Sequence, residues 1–142
     1  MIALKDRYIV ITNNSIFKDR EDTIYIEGDF IDVLKSVRDY MHKGYLAISH
    51  PLPASIRMIL SPVRSVIMVD NYSDQELYNK TLEIVESSII SYTNTMGIRK
   101  PDYKNTEDYK IIDKNLLYSS FDELHKEKKL VSQLLKEVEI WS

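Results

Sequence analysis

The sequence predicts an α/β fold: a three-layer sandwich in which helices cover both faces of a mainly parallel sheet of four or five strands. Short runs rich in β-branched and aromatic residues alternate with longer segments whose apolar residues recur at helical spacing, in the order β-β-α-β-β-α-(β)-α. Residues 45–49 and 65–69 are almost continuously apolar. Such runs are typical of strands buried on both faces, which are common in parallel sheets.

The first half of the chain is predicted to form two strands and a helix. Residues 8–12 and 23–26 are the strands, and the ten residues between them leave open whether the pair is parallel or antiparallel. Asp29 is expected to cap a helix that Gly44 terminates. Its apolar stripe comprises Phe30, Val33, Leu34, Val37 and Met41.

The second half is predicted to hold two further strands, 45–49 and 65–69, joined by a proline-rich loop. Ser73 and Glu76 fit a capping box at the start of the next helix. Residues 109–112 are assigned to a late edge strand. A second capping box, at residues 120–123, is expected to open the last helix, whose wide apolar stripe serves the core, a partner or a second copy of the chain.

Length and composition fit one domain over residues 1–142, with a C-terminal helical segment at about 114–142. The chain is 44% hydrophobic and 29% charged, so it can bury a core without disulfides. Cysteine is absent, and the three histidines share no metal-ligand spacing. We therefore expect no disulfide, no thiolate chemistry and no metal site.

Charge and hydropathy argue against two further classes. The formal net charge of −3 is unfavourable for a nucleic-acid binder that neutralises phosphates. No apolar run is long enough to cross a bilayer, and residues 5–7 place charges of both signs before the first apolar segment, unlike a secretory signal peptide. We expect a cytoplasmic protein that contacts neither nucleic acid nor membrane.

No familiar catalytic motif is present. The three glycines, Gly28, Gly44 and Gly97, are isolated, so neither a dinucleotide fingerprint nor a Walker loop occurs. The sequence also lacks a nucleophile elbow and a paired-histidine zinc motif. The sequence therefore specifies no reaction and no cofactor, and it leaves open whether the chain is an enzyme.

Polar residues follow the predicted strands, where ligands of α/β sheets usually bind. His50 could act as a general base or donate to an anion, or it could fix the backbone of its own loop. The arginines at 57 and 64 could clamp a carboxylate or phosphate, or be solvated surface charges. We predict that Asn13, His50 and Ser55 line one polar cleft for a small polar or anionic ligand. The candidate ligand-binding residues are Asn13, Asn14, Ser49, His50, Ser55, Arg57 and Asp70.

An ordered set of segments over residues 8–92 resembles a known family. It comprises Ile11–Asn14, Val33–Asp39, His42–Gly44, His50–Arg57 and Pro62–Ser65. Together these segments resemble the GrdX family, small proteins associated with the glycine reductase gene clusters of anaerobic bacteria.

The resemblance implies a noncatalytic accessory protein that binds or assembles with components of a glycine, sarcosine or betaine reductase. Because the chain has no cysteine, it cannot itself carry the thiol chemistry of such a reductase. Two alternatives remain open. One is a small-molecule enzyme or sensor that uses the polar cleft, and the other is a structural or oligomerisation protein that acts through its helices.

Overall fold

A computed structural model describes the backbone of residues 8–52, 56–70 and 74–141, and the side chains of these residues except 56–57 and 127–141. Within these ranges three short 3-10 helices accompany the regular elements, at Ser15–Phe17, Ile56–Leu60 and Tyr103–Asn105. The strands are β1 (Tyr8–Thr12), β2 (Thr23–Tyr25), β3 (Leu46–Ala47) and β4 (Ser65–Val69). The α-helices are α1 (Phe30–His42), α2 (Gln75–Met96) and α3 (Thr106–Trp141).

The four strands form one sheet in the order β2-β1-β4-β3. β1 pairs with β2 in parallel, whereas β4 is antiparallel to both β1 and β3. The prediction of a mainly parallel sheet is therefore wrong, because two of the three pairings are antiparallel. Burial on both faces requires apolar side chains but does not fix strand direction, and the described residues between β3 and β4 hold a short 3-10 helix and no crossover α-helix that would make the strands parallel.

The predicted strand positions are close to those observed, but β2 ends one residue early, at Tyr25, and β3 is shorter still. β3 forms ladder pairs only at Leu46 and Ala47. Beyond them Ile48 N donates to Ile67 O at 2.9 Å, but Ile67 N donates to the Ser49 hydroxyl at 2.8 Å instead of to a backbone carbonyl. The side chain of Ser49 therefore ends the ladder.

Helices cover both faces of the sheet, as predicted. On one face α1 and α2 pack against alternate strand residues such as Ile11 and Met68. On the other face α3 and the first 3-10 helix contribute Leu117 and Phe17, which pack against Val10 and Ile67. Every residue of β3 and β4 is buried, which confirms that these strands are covered on both sides.

The helix boundaries confirm one predicted cap and correct two. Asp29 occupies the N-cap position of α1, and its backbone N–H donates to the Asp32 carboxylate at 2.7 Å. Ser73 lies outside the described residues, and the residue that caps α2 is Asp74, whose carboxylate accepts from Leu77 N at 3.1 Å. Ser120 opens no helix: it lies inside α3, and its hydroxyl donates to the carbonyl of Leu116 at 3.0 Å.

α3 also replaces the predicted late edge strand. Residues 109–112 are helical, because the segment begins at Thr106 with acidic residues in its first turn, where carboxylates favour a helix N-terminus. The apolar stripe predicted for the last helix falls largely on residues 127–141, whose side chains are outside the described set. Among the described residues, no helix has both the length and the apolar character to cross a bilayer.

Candidate functional site

One end of the sheet gathers the polar residues that follow β1 and β3. Because both strands run opposite to β4, their carboxyl ends lie beside its amino end. Asn13, His50 and Arg64 therefore share this end of the sheet. β4 lies between β1 and β3, so Asn13 and His50 are separated by about two strand spacings, roughly 9–10 Å, rather than one.

Asn13 is buried and joins three loops. Its amide nitrogen donates to Gly28 O at 2.9 Å and to Pro62 O at 2.7 Å, and its amide oxygen accepts from Arg64 N at 2.9 Å. Only 7% of the residue is exposed. Both N–H donors and the amide oxygen of the side chain are thus engaged in hydrogen bonds that hold the fold. Asn13 does not line the cavities that His50 borders.

Asn14 is fully buried in a network centred on Asp113 of α3. Its amide nitrogen donates to Lys110 O at 2.9 Å and to the Asp113 carboxylate at 3.0 Å. The same carboxylate accepts from Ser65 N at 2.9 Å and from the Ser65 hydroxyl at 2.6 Å. The start of β4 and the end of β1 are therefore tied to α3 through one buried charge.

Sequence reasoning missed Asp113. It falls between the predicted edge strand at residues 109–112 and the predicted helical segment at about 114–142, so no element was assigned to it. Its spacing from Leu117 was the available signal, because residues four apart lie on the same helical face and Leu117 is a core residue. An acidic side chain on a buried face needs hydrogen-bond partners, and here Asn14 and Ser65 supply them.

His50 is exposed and holds its own loop. Leu52 N donates to Nδ1 at 3.1 Å, and Leu52 O lies 3.0 Å from the same nitrogen. Nδ1 accepts from Leu52 N in one tautomer of the ring and donates to Leu52 O in the other, so either tautomer ties the ring to this backbone. Within the described residues Nδ1 contacts this backbone and no carboxylate, so the acid–histidine pair of a Ser-His-Asp triad is not formed.

Arg64 is buried, not a solvated surface charge. Only 9% of the residue is exposed, and its Nε donates to Pro51 O at 3.0 Å while Nη2 donates to His50 O. Burial lowers the pKa of the guanidinium, and the nearby charge of Asp113 partly opposes that shift. The side chain therefore anchors the loop after β3 from beneath.

Three cavities meet at His50. We call the first the strand-end cleft: it has a volume of about 190 Å³ and lies between the loop after β3, the start of β4 and α3. The second, the edge groove, has about 550 Å³ and follows the outer edge of β3 between α2 and α3. A third, of about 370 Å³, borders a serine-rich stretch of α2. The strand-end cleft is lined by Ser49, His50, Leu52, Arg64, Ser65, Leu116, Leu117 and Ser120.

The remaining candidates do not join this cleft. Asp70 follows β4, and because β4 is antiparallel to its neighbours, Asp70 lies at the opposite end of the sheet. Its assignment to the same end assumed a parallel β4. Ser55 and the side chain of Arg57 lie outside the described residues. The predicted association of Asn13, His50 and Ser55 thus reduces to a shared sheet end for the first two.

No group of three or more histidine, cysteine, aspartate or glutamate side chains is placed to hold a metal within the described part of the chain. The polar groups of the strand-end cleft are one guanidinium, one imidazole and three serine hydroxyls. Such a set offers hydrogen-bond donors suited to an anion or a polar molecule.

These features define a small α/β protein with a polar cleft at one end of a mixed sheet. The family described as GrdX-like protein matches residues 9–122. The chain therefore belongs to the GrdX-like family, which confirms the resemblance found in the sequence. No curated protein and no solved structure matches the chain.

Proposed function

We propose that this GrdX-like protein is a noncatalytic binding protein whose ligand site is the strand-end cleft. The observation that carries the proposal is the convergence of Ser49, His50, Arg64 and Ser120 on a single cavity between the sheet and α3. A concave site with a few convergent polar groups among apolar side chains is the usual form of a small-molecule site. The leucines at 52, 116 and 117 supply the apolar part.

The noncatalytic assignment is supported by how the polar groups are used. Asn13, Asn14 and Asp113 are saturated with structural hydrogen bonds. His50, the titratable group on the rim, is oriented by the backbone of Leu52. A general base usually has a carboxylate or equivalent partner that strengthens it, and the described contacts of His50 provide none.

The family supports a role beside an amino-acid reductase. The resemblance to the GrdX family implies an association with glycine reductase gene clusters. A chain without cysteine cannot supply the thiols of such a system. We therefore propose that the protein assists a glycine, sarcosine or betaine reductase by binding one of its components or a small ligand.

The cleft is tested with a variant that fills it. Ser120 is half-buried on α3 and lines both the strand-end cleft and the edge groove, whereas its neighbour Ser119 is exposed and lines neither. Leucine favours helices, so Ser120→Leu fills the cavity without opposing α3, and Ser119→Leu is the matched control. A thermal-shift screen of small polar molecules should show a ligand that stabilises the wild type and Ser119→Leu but not Ser120→Leu.

A ligand present at a hundred times its dissociation constant adds about 2.7 kcal/mol to the free energy of unfolding. Equal stabilisation of both variants would place the ligand elsewhere.

The partner is tested by affinity purification of the tagged full chain from a native anaerobic lysate under gentle conditions. Enrichment of a reductase component is expected, and recovery of none would count against the assisting role.

A further inference from the structure

We infer that the strand-end cleft takes a small carboxylate anion, paired with the guanidinium of Arg64. The inference rests on the proposed function of the cleft and adds the chemical class of its ligand. A guanidinium has five N–H donors and no acceptor. In the described structure Nε donates to Pro51 O and Nη2 donates to His50 O, which leaves three donors without a protein acceptor.

The free donors form a usable edge of the guanidinium. Nε and Nη2 present the side-on pair of N–H groups, and this pair holds the two carbonyls of the loop. Both N–H groups of Nη1 and the second N–H group of Nη2 have no partner among the described residues. Two parallel N–H groups match the two oxygens of a carboxylate, so this edge suits a bidentate contact.

A charged group that is nine-tenths buried is stable only when its donors are satisfied. Arg64 is 9% exposed and borders the strand-end cleft. Asp113 does not accept from the free donors of Arg64. No ion pair within 4.0 Å joins the two residues in the described structure, and the carboxylate oxygens of Asp113 already accept from Ser65 and Asn14. The cleft is therefore where the free edge of Arg64 finds an acceptor, either water or a ligand anion.

Ser49 supplies a second donor at the same place. Its hydroxyl oxygen accepts from Ile67 N at 2.8 Å, and its O–H group has no acceptor among the described residues. Ser65 and Ser120, in contrast, donate to Asp113 and to the carbonyl of Leu116. Arg64 and Ser49 thus place donors without a protein acceptor around one cavity.

The charge around the cleft and its volume limit the charge and the size of the anion that it can bind. One guanidinium faces the cleft, and the carboxylate of Asp113 lies close enough to influence it. A dianion would place a second uncompensated negative charge there, so a monoanion is favoured. The volume of about 190 Å³ equals roughly six water molecules at 30 Å³ each. This space suits a carboxylate of a few carbons.

The test uses the full chain and a matched pair of probes. Propionate and propionamide have nearly the same shape and differ in charge, and inorganic phosphate is the third probe. Binding is followed at constant ionic strength by the NMR signal of the Arg64 Nε–Hε group and by isothermal titration calorimetry. We expect propionate to bind and to shift that signal, with propionamide and phosphate weaker by about tenfold or more.

Two substitutions and a control locate the site. Arg64→Lys keeps the charge but removes the fork and should weaken propionate binding by about tenfold or more. Ser120→Leu should abolish binding, and Ser119→Leu should leave it unchanged. If Arg64→Lys does not fold, the serine pair and the Arg64 signal of the wild type still decide the outcome.

Three other results would overturn the inference, and each shows whether the carboxylate or the location of the site is wrong. Equal binding of propionamide, or tighter binding of phosphate, with both lost in Ser120→Leu, would refute the carboxylate and leave the cleft as a ligand site. Propionate binding that survives Ser120→Leu would remove the anion from the cleft. Failure of all three probes to bind would refute the carboxylate, while a hit from the broader thermal-shift screen would preserve the proposed function.

Discussion

Replacement of Asp113 by asparagine tests whether one buried carboxylate ties the sheet to α3. Asp113 is 2% exposed and accepts three hydrogen bonds, two from Ser65 and one from Asn14. Asparagine has the same shape but exchanges one acceptor oxygen for an NH₂ group. We expect Asp113→Asn to fold and to be clearly less stable than the wild type.

The magnitude follows from the orientation of the new amide. If its NH₂ group replaces Oδ2, it faces the NH₂ group of Asn14, and if it replaces Oδ1, it faces Ser65 N–H. Either orientation leaves a buried donor without an acceptor, which costs about 1–3 kcal/mol. The buried Arg64 also loses a nearby negative charge. Together we expect a loss of about 2–4 kcal/mol in the free energy of unfolding.

Urea denaturation at neutral pH measures this loss. With a slope of about 2 kcal/mol per molar urea, the midpoint should fall by about 1–2 M. Asp122→Asn is the matched control, because Asp122 lies on the same helix and is exposed. Its free energy of unfolding, obtained as the midpoint multiplied by the slope, should stay within about 0.5 kcal/mol of the wild-type value. A midpoint for Asp113→Asn that equals the control would refute the structural role of the network.

Two further predictions concern a helix cap and a buried tyrosine. Asp74→Ala should lower stability by about 1 kcal/mol, because the carboxylate that accepts from Leu77 N is lost; an unchanged urea midpoint would show that α2 is capped by another residue. Burial, with smaller effects from Asp29, Tyr103 and Asp32, raises the pKa of Tyr92 from 10.0 to about 12. The folded state therefore favours neutral Tyr92, so this contribution is complete below pH 10 and is lost as the pH rises through about 12. Tyr92→Phe should accordingly show a smaller fall in urea midpoint between these pH values than the exposed control Tyr118→Phe, and equal falls in both variants would contradict the assignment.

The local elements were predictable because their signals are local. All five apolar stripe residues proposed for α1 are buried, since helical spacing places them on one face whatever the helix packs against. β1 and β4 match their predicted bounds because β-branched runs identify strands without knowledge of their partners. The family resemblance rested in the same way on segments that stand in the sequence itself, and the match over residues 9–122 confirms it.

Errors arose where two elements had to be placed relative to each other. The capping box at residues 120–123 resembles a helix start, but the helix had already begun at Thr106, because hydrogen bonding by the preceding residues continues through it. Strand direction was wrong for β4, and with it the position of Asp70. Asn13 and His50 nevertheless share a sheet end, because β1 and β3 are both antiparallel to the strand between them.

Local sequence patterns were enough to identify the family, the α/β class, most element positions and the polar residues that follow β1 and β3. They could not assign roles to the charged groups, since the same arginine is a surface charge or a buried anchor depending on what covers it. Long-range packing places Arg64 beneath the His50 loop and brings Asp113 of α3 to Asn14 and Ser65. The hydrogen bonds of Asp113 join residues about fifty to a hundred positions apart, so their energies depend on packing that no local pattern records.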